Sequence, residues 1–305
     1  MLLQDSVALN SRSSTVSMES VHRTTPSEVI PTGWRRLSDQ RFLVSGSWNH
    51  PYYTPAHGFR FDPLLIVESM RQSTILISHE AYGVPNDHRF ILQSLSFSTQ
   101  DGRPNPEFGI PEAPESSEVD LEVAFFDLKE RGGVLASMRS EVIARRDGVQ
   151  VAAGGGLICI SSPRLYRRLR GDRVHVTAGM PASGAGAALP VRTRADDVVV
   201  VPAAEPGVWK LLVDTTHPTF FQRPNDHVPG MLLLEAARQL SRVVSAPGPF
   251  VPRAGSIVFG RYAELSSPVW LRARMLPERP GGGHPVAVTG EQDGNVVFEA
   301  VLDAS

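Results

Sequence analysis

The sequence predicts an α+β fold built from two related halves, in which each half encloses one long helix inside an antiparallel sheet. An apolar helical segment that carries the motif Glu-x-x-Arg-Gln occurs twice, at residues 62–83 and 229–244. Each copy is followed by strand-like segments that short turns separate, which is the pattern of an antiparallel meander. The first helix is apolar around most of its circumference and the second is similarly rich in apolar residues, so both are expected to be buried by the surrounding structure.

The composition is that of a globular protein without a strong overall electrostatic field. The chain has 305 residues, of which 41% are hydrophobic and 20% are charged, and its formal net charge is -2. A charge this small gives no reason to expect binding to nucleic acid or to a membrane surface. No apolar run reaches the roughly 18 residues that a membrane span needs, and the first 20 residues lack the features of a signal peptide. We therefore expect a cytoplasmic protein.

The sequence lacks the common motifs by which residues bind metals and cofactors. Cys159 is the one cysteine in the chain, which excludes an intramolecular disulfide and a thiolate metal cluster. Neither a Gly-rich nucleotide loop nor the usual zinc spacing of histidines and carboxylates is present. We therefore expect neither a metal nor a cofactor.

In the first half, the elements follow one another in a simple order. Residues 1–20 are Ser-rich and aperiodic and predict a disordered tail, so the first domain is expected at 21–160. Pro63 suits the first turn of the helix at 62–83, where a missing N–H costs nothing. Strands are predicted at 41–48, 90–97, 119–128, 134–144 and 149–160, with Gly-Gly and Asp-Gly turn pairs between the last three.

In the second half the same order returns after an interruption. Residues 161–195 predict a linker with a short basic helix at SPRLYRRLRG, followed by a Gly- and Ala-rich stretch. The second domain is expected at 196–305. Its helix at 229–244 is accompanied by predicted strands at 209–214, 256–264, 269–275, 285–289 and 296–302.

The two helices align without a gap, because Glu235 follows Glu68 by 167 residues and the positions around both coincide at that offset. Leu65 aligns with Leu232, Arg71 with Arg238, and Gln72 with Gln239. A long helix wrapped by an antiparallel sheet is the architecture called a hot dog, and two copies in one chain predict a double hot dog, an internal pseudo-dimer whose sheets join edge to edge. Another α+β layer arrangement is the alternative.

The segment HPTFFQRPNDHVPGMLLLEAARQ, residues 217–239, carries the strongest local signal. It resembles the active-site segment of hot-dog dehydratases that act on acyl carrier protein, in which Phe-Phe-Gln, a loop histidine, Pro-Gly and a helical Glu recur. Here the loop is shorter, His227 lies nearer the Pro-Gly, and Arg238 stands where those dehydratases have an apolar or small residue. Both departures count against simple dehydratase activity.

A resemblance that covers most of the chain, from about Val21 to Glu264, is carried by VHRTTPSEV, DPLLIVESMRQSTILISHEAYGVPNDHRF and DHVPGMLLLEAARQ. These segments, in this order, resemble the AfsA family of A-factor, or γ-butyrolactone, biosynthesis. The resemblance implies an acyltransferase that moves a β-ketoacyl chain from acyl carrier protein to dihydroxyacetone phosphate. The ester would cyclise to a butenolide phosphate, the precursor of a γ-butyrolactone, butenolide or furan signal that regulates antibiotic production.

The catalytic candidates lie around the start of the helix at 229–244. They are the residues that could supply the base and the hydrogen-bond donors of such an acyl transfer. A base must take the hydroxyl proton, and Glu235 and His227 are the candidates, with Asp226 as an orienting or helix-start residue. Donors must face the oxyanion that forms on the thioester carbonyl. The free N–H groups at Gly230 and Met231, where the helix begins, are the candidates.

A cation must hold the acceptor's phosphate, because guanidinium groups bind phosphate through paired hydrogen bonds. Arg238 and Arg71 are candidates as cations on mainly apolar helices, and Arg223 is a candidate on the FFQRPN loop. Glu68, Gln72 and Gln239 are expected to support them. Glu235 with Arg238 and Glu68 with Arg71 have a structural alternative, in which each is a buried ion pair that holds the two helices together.

The remaining alternatives concern partners and function. Arg164, Arg167, Arg168 and Arg170 form a basic run that is either a docking site for the acidic carrier protein or a solvated surface. A dehydratase or thioesterase acting on acyl thioesters is the second enzymatic hypothesis, since fold alone does not fix function. A non-catalytic lactone-binding protein is the hypothesis from a different class. The chain is expected to be a monomer, as a pseudo-dimer, or a homodimer.

Overall fold

The computed structural model describes residues 16–55, 61–100, 117–176, 195–248, 250–278 and 284–304. It confirms the double hot dog, with two long helices against one continuous antiparallel sheet. The helices are α1 (Leu65–Tyr82), α2 (Pro163–Arg170) and α3 (Gly230–Val244). The strands are β1 (Pro31–Ser38), β2 (Arg41–Ser47), β3 (Arg89–Thr99), β4 (Glu118–Arg131), β5 (Val134–Arg146), β6 (Val149–Ser161), β7 (Val200–Pro202), β8 (Val208–Leu211), β9 (Ala254–Phe259), β10 (Trp270–Met275), β11 (Val286–Gln292) and β12 (Asn295–Asp303).

The two halves share a single sheet, as the sequence predicted. Its strand order is β1-β2-β4-β5-β6-β3-β9-β12-β11-β10-β8-β7. The first half therefore meets the second where β3 pairs with β9, in an antiparallel register that sets Leu95 opposite Ile257 and Ser96 opposite Ser256. Because both side chains of the Leu95–Ile257 pair are buried, this junction lies over the core.

Helix α1 is enclosed on nearly all sides, which explains its apolar sequence. Leu65, Ile66 and Val67 are at most 1% exposed. The helix packs closely against β6, where a Cβ on Gly154 would lie 3.6 Å from side-chain atoms of Ile66. The helix ends at Gly83, whose φ of +64° is the left-handed conformation that glycine adopts at low cost.

Helix α3 buries a run of leucines against β10, β11 and β12. Leu232, Leu233 and Leu234 are each at most 2% exposed. Truncation of one such leucine to alanine typically costs about 2–5 kcal/mol. No helix in the described ranges is both long and apolar enough to cross a membrane.

The structure corrects several predicted boundaries. Strand β9 ends at Phe259 and not near residue 264, because the chain turns there and Ala263 accepts a hydrogen bond from the Val228 backbone N–H at 2.8 Å. Strands β1 and β7 were not predicted from the sequence. Glu19–Val21 form a 3-10 turn in which Ser20 is 3% exposed, so this part of the predicted tail is ordered against the core. Residues 1–15 and most of the predicted linker, 177–194, lie outside the described residues.

Candidate active site

A cavity of about 450 Å³ lies where α1, β3, α3 and the loop before α3 converge. Part of its wall is apolar, formed by Val67, Met70, Ile75, Leu92, Ile158 and Leu233. Another part is cationic, formed by Arg23, Arg71, Arg89, Arg223 and Arg261, with His22 beside them. The wall therefore suits a ligand with an aliphatic chain and an anionic group.

His227 lies in the cavity wall and is paired with its neighbour in the chain. The distance from its Nδ1 to Oδ1 of Asp226 is 2.8 Å, and the His227 side chain is 24% exposed. A carboxylate at Nδ1 holds the ring with the proton on that nitrogen and leaves Nε2 as the basic atom. This geometry is that of a general base with its orienting carboxylate.

Two residues of helix α2 donate hydrogen bonds to Asp226. The Tyr166 hydroxyl donates to Oδ1 of Asp226 at 2.7 Å, and Nε of Arg170 donates to its Oδ2 at 2.9 Å. Burial alone would raise the pKa of this carboxyl, but hydrogen bonds from His227, Arg170 and Tyr166 lower it well below its ordinary value. Asp226 therefore stays ionised beside the histidine.

Arg170 also forms an ion pair with a second carboxylate, that of Glu264. Its two terminal nitrogens donate to the two oxygens of Glu264 at 2.7 Å each, a bidentate pair. Glu264 follows the turn after β9, and its backbone bridges to that of His227. The loop before α3 is thus fixed both through side chains and through its backbone.

The start of α3 offers backbone donors to the same cavity. Gly230 and Met231 both line it, and among the described residues neither backbone N–H donates a hydrogen bond. The first N–H groups of a helix carry its positive dipole end. A Cβ at Gly230 would lie 3.1 Å from Cζ of Phe259, so glycine lets that ring pack close to the helix start.

Arg71 and Glu68 form a buried network that reaches the cavity. Arg71 donates to both carboxylate oxygens of Glu68, at 2.8 and 3.0 Å, and Arg23 donates to the same carboxylate. Burial would raise the pKa of Glu68, but Arg23 and Arg71 lower it well below its ordinary value. Two cations share one anion, so the group is left with a net positive charge towards the cavity.

The other cations of the wall have no carboxylate partner within the described ranges. Arg223 is half-buried, and burial together with Arg89 and Arg71 lowers its pKa. Arg89 lies 5.6 Å above the Tyr166 ring. The pKa of His22 is lowered to about 2 by burial and by Arg223 and Arg71, so this ring is neutral. An anion entering here would relieve repulsion among the arginines.

Tyr53 adds a buried hydroxyl to the wall. The residue is 1% exposed, and its hydroxyl makes no hydrogen bond among the described residues. Burial, Glu68 and Glu235 raise its pKa well above the ordinary value. The group is therefore protonated and available as a donor to a ligand.

Glu235 and Arg238, the other sequence candidates, do not line this cavity. The Glu235 carboxylate is fully buried, 2.5 Å from Nη2 of Arg238, and accepts a 2.7 Å hydrogen bond from Gln239. Arg238 also donates to Asp62 at 2.6 Å. This arrangement favours the alternative left open from the sequence, in which Glu235 and Arg238 are a structural ion pair.

Gln72 and Gln239 perform the same task in the two halves. The Gln72 side chain accepts from the Ile30 N–H at 2.9 Å and donates to the Glu28 carbonyl at 2.8 Å. Gln239 accepts from the Val199 N–H at 2.9 Å and donates to the Asp197 carbonyl at 2.7 Å. Each amide thus ties its helix to the segment that leads into the first strand of its own half.

Several residues of the site were not predicted from the sequence. Arg23 and Tyr53 were not candidates, although Arg23 lies in the VHRTTPSEV segment that carries the family resemblance. Arg170 was grouped with a docking run, but it is buried and paired with Asp226 and Glu264. In the described ranges, no His, Cys, Asp and Glu side chains are grouped to hold a metal ion.

Comparison with known proteins identifies close sequence relatives. Residues 4–162 and 190–305 match the family described as the A-factor biosynthesis hotdog domain, AfsA. A 2-oxo-3-(phosphooxy)propyl 3-oxoalkanoate synthase of Streptomyces coelicolor is 42% identical over 290 residues, covering 94% of this chain and 90% of that protein. A synthase of the same name from Streptomyces virginiae is 40% identical over 292 residues, covering 95% and 97%.

Among solved structures, the similarity is one of fold. An acyl-ACP thioesterase from Bacteroides thetaiotaomicron superposes with a TM-score of 0.50 and 9% identity, covering 88% of this chain and 99% of that chain. At this identity the likeness bears on architecture and not on chemistry.

Proposed function

This chain belongs to the AfsA family of A-factor biosynthesis hotdog domains, and we propose that it transfers a β-ketoacyl chain from acyl carrier protein to dihydroxyacetone phosphate. The product is the 2-oxo-3-(phosphooxy)propyl 3-oxoalkanoate after which its relatives are named. The observation that carries the proposal is one cavity that combines a His–Asp pair, the first N–H groups of a helix, an apolar wall and arginines that, among the described residues, have no carboxylate partner.

We assign the base to His227. Its Nε2 takes the proton from the acceptor hydroxyl while Nδ1–H stays bound to Asp226. The hydroxyl oxygen attacks the thioester carbon, and the carbonyl oxygen becomes an oxyanion that the N–H groups of Gly230 and Met231 stabilise. Collapse of this intermediate breaks the C–S bond. The leaving thiolate takes the proton from His227, which restores the neutral histidine.

The acceptor's phosphate is assigned to the cationic wall. Arg71 and Arg223 supply guanidinium groups that suit phosphate oxygens, and Arg89 adds a third positive charge near them. The Tyr53 hydroxyl is a further donor for the phosphate or the ketone. Arg71, Arg223 and Arg238 were all phosphate candidates from the sequence. Arg238 is not assigned here, because it is paired with Asp62 and Glu235.

The acyl chain is assigned to the apolar wall between α1 and β3. Val67, Met70 and Ile75 face this space from the helix, and Leu92 faces it from the strand. Burial of a methylene group there contributes roughly 0.8 kcal/mol. This binding energy holds the thioester near His227 while the acceptor binds among the arginines.

The carrier protein is assigned to the outer face of α2. Arg164, Arg167 and Arg168 are exposed and, in the described part of the chain, have no ion pair. Leu165 and Leu169 on the same short helix are 40% and 61% exposed. A basic face with two leucines suits an acidic carrier that also offers an apolar contact. The buried side of α2 contacts Asp226, so docking here brings the carrier next to the site.

The product ester can cyclise to a butenolide phosphate, because the acidic methylene between the two carbonyls of its 3-oxoacyl group can add to the ketone of the acceptor moiety, after which water is lost. This step leads towards a γ-butyrolactone, butenolide or furan signal that regulates antibiotic production. The enzyme's own chemistry ends at the ester.

A thioesterase is the second candidate function, since the same fold hosts one in the structure with 9% identity. The test is incubation with a β-ketoacyl carrier protein and dihydroxyacetone phosphate, followed by mass spectrometry. The phosphorylated ester, or its cyclised form, is expected as the main product. Free β-keto acid as the main product, whether or not the acceptor is present, would favour the thioesterase. Equal reaction with unphosphorylated dihydroxyacetone would refute the phosphate assignment.

A further inference from the structure

The internal repeat extends further than the helices. His50–Gln72 aligns with His217–Gln239 at the same offset of 167 residues. Nδ1 of His50 accepts from the Tyr52 N–H at 3.2 Å, and Nδ1 of His217 accepts from the Thr219 N–H at 3.2 Å. Equivalent positions therefore adopt the same local structure in both halves. At this offset Asp62, before α1, is the equivalent of Pro229, before α3.

The arginines of the two helices reach across to these positions. Arg238 of α3 donates to Asp62 at 2.6 Å. Arg71 of α1 lines the cavity together with Pro229, which has no charge to offer it. The Arg71 side chain is 26% exposed, against 14% for Arg238. Both arginines thus pair with the glutamate of their own helix, and one difference in sequence adds a second carboxylate, Asp62, to Arg238.

We propose that the chain has a single acceptor site, and that Asp62 fills the equivalent pocket in the other half as an internal substitute for the acceptor's anion. The Asp62 carboxylate is 3% exposed and joins the Arg238 guanidinium to the Leu64 N–H near the start of α1, at 2.6 and 2.9 Å. A phosphate bound to Arg71 would make the equivalent guanidinium contact in the other pocket, where the N–H groups at the start of α3 remain for the thioester carbonyl.

We call the pocket that Asp62 fills the closed pocket and the cavity beside Arg71 the open pocket. The closed pocket has a structural role in place of a chemical one. The Asp62–Arg238–Glu235 chain joins the start of α1 to the middle of α3 through buried ion pairs. The open pocket keeps the matching Glu68–Arg71 pair and has the His227–Asp226 pair beside it. The identity of the bound anion rests on the proposed function, whereas the number of open pockets does not.

The first test counts anions bound by the full-length protein in equilibrium dialysis, with inorganic phosphate and with dihydroxyacetone phosphate as probes. One site per chain is expected for each probe, and two sites would overturn the proposal. One site for inorganic phosphate with none for dihydroxyacetone phosphate would refute the proposed acceptor and leave the single open pocket standing.

The second test exchanges the features of the two pockets. Pro229→Asp places a carboxylate beside Arg71, at a helix-capping position that aspartate favours. The acceptor KM is expected to rise about tenfold or more, the loss of roughly one charge-assisted contact, while Pro229→Asn as the uncharged control changes it little. Equal effects of the two substitutions would overturn the proposal. Thermal unfolding of both variants establishes that they are folded.

The third test opens the closed pocket. Asp62→Ala removes the carboxylate that faces Arg238, whereas Asp62→Asn keeps the side-chain shape and the oxygen that accepts from the Leu64 N–H, and so serves as the control that leaves the pocket filled. The phosphate count is expected to rise from one to two in Asp62→Ala, with turnover in the original site retained. A count that stays at one in a folded Asp62→Ala protein would overturn the assignment of Asp62 as the occupant.

Discussion

The buried guanidinium of Arg170 joins the carboxylates of Asp226 and Glu264, and its Nε lies 2.9 Å from Oδ2 of Asp226. Arg170 is 4% and Asp226 is 6% exposed. Because Asp226 in turn holds His227, the orientation of the proposed base depends on a helix that begins more than sixty residues earlier in the chain. Changes on α2 are therefore expected to affect catalysis as well as stability.

Asp226→Asn tests the orienting carboxylate. The amide keeps the shape, but it no longer requires a proton on Nδ1 of His227, so the basic nitrogen is no longer fixed as Nε2. We expect kcat to fall by roughly 10²–10⁴, the usual contribution of a positioned base. Steady-state kinetics and thermal unfolding should be measured on the same preparation. A folded variant with nearly normal kcat would contradict the assignment of His227.

Glu235→Gln distinguishes a catalytic carboxylate from a structural one. Removal of one charge from the buried Glu235–Arg238–Asp62 group should cost about 3–5 kcal/mol of stability. The folded fraction is expected to keep most of its activity, because Glu235 does not line the cavity. Denaturant unfolding and turnover per folded molecule are the measurements. A stable protein that has lost its activity would return Glu235 to the role of base.

Arg223→Gln tests the phosphate contact. We expect the acceptor KM to rise several-fold to a hundredfold while the KM for the acyl donor changes little, since a guanidinium–phosphate pair contributes about 1.5–3 kcal/mol. Arg242→Gln is the matched control, because Arg242 lies on the exposed face of the last turn of α3. Similar increases in both KM values would refute the assignment.

The pH dependence of stability should reflect His22. Burial and the nearby arginines lower its pKa from 6.5 to about 2 in the folded protein, while the unfolded chain protonates near pH 6.5. The stabilising contribution is therefore complete above about pH 6.5 and decreases as the pH falls. Burial also lowers the pKa values of His79 and His217, which act in the same direction.

We accordingly expect the melting temperature to fall between about pH 7 and pH 5.5, and to fall less in His22→Gln. Glutamine cannot take up a proton in this range and keeps a polar partner for His79, whose Nε2 lies 3.1 Å from that of His22. Calorimetry at both pH values is the measurement. An equal decrease in the variant would show that His22 is accessible to protons when folded.

The double substitution Arg164→Glu with Arg168→Glu tests the docking face of α2. Charge reversal should raise the KM for the carrier-bound donor about tenfold or more, because steering between opposite charges is lost. The KM for a small thioester donor such as an N-acetylcysteamine derivative should stay unchanged. If both donors are affected alike, α2 acts through the site and not through docking.

The fold was predictable because its signals are local. The helices at Leu65–Tyr82 and Gly230–Val244 and most strands begin or end within a few residues of the predicted limits, since periodicity and turn residues operate over short distances. Strand β7 was not predicted because its three residues are too few to show an alternating hydrophobic pattern. The end of β9 was misplaced because a contact between Ala263 and Val228 turns the chain there.

The site was predictable only in part, because its decisive contacts link distant segments. The neighbours Asp226 and His227 were candidates from their own sequence. Tyr166 gave no sign of a role in the sequence, and Arg170 was expected only in a docking run or on a solvated surface, because both contact Asp226 across roughly sixty residues. Arg71 and Arg238 have matching motifs, and only the three-dimensional partner of Arg238, Asp62, distinguishes them.

Covalent fusion of the two halves has an evolutionary consequence. A homodimer of identical hot-dog subunits must place the same residue at both equivalent positions, so an aspartate before one central helix would also stand before the other. In a single chain, positions 62 and 229 are encoded separately and hold Asp and Pro. Separate encoding of the two positions thus allows one of the two equivalent pockets to be filled from within the chain while the other stays open to a ligand.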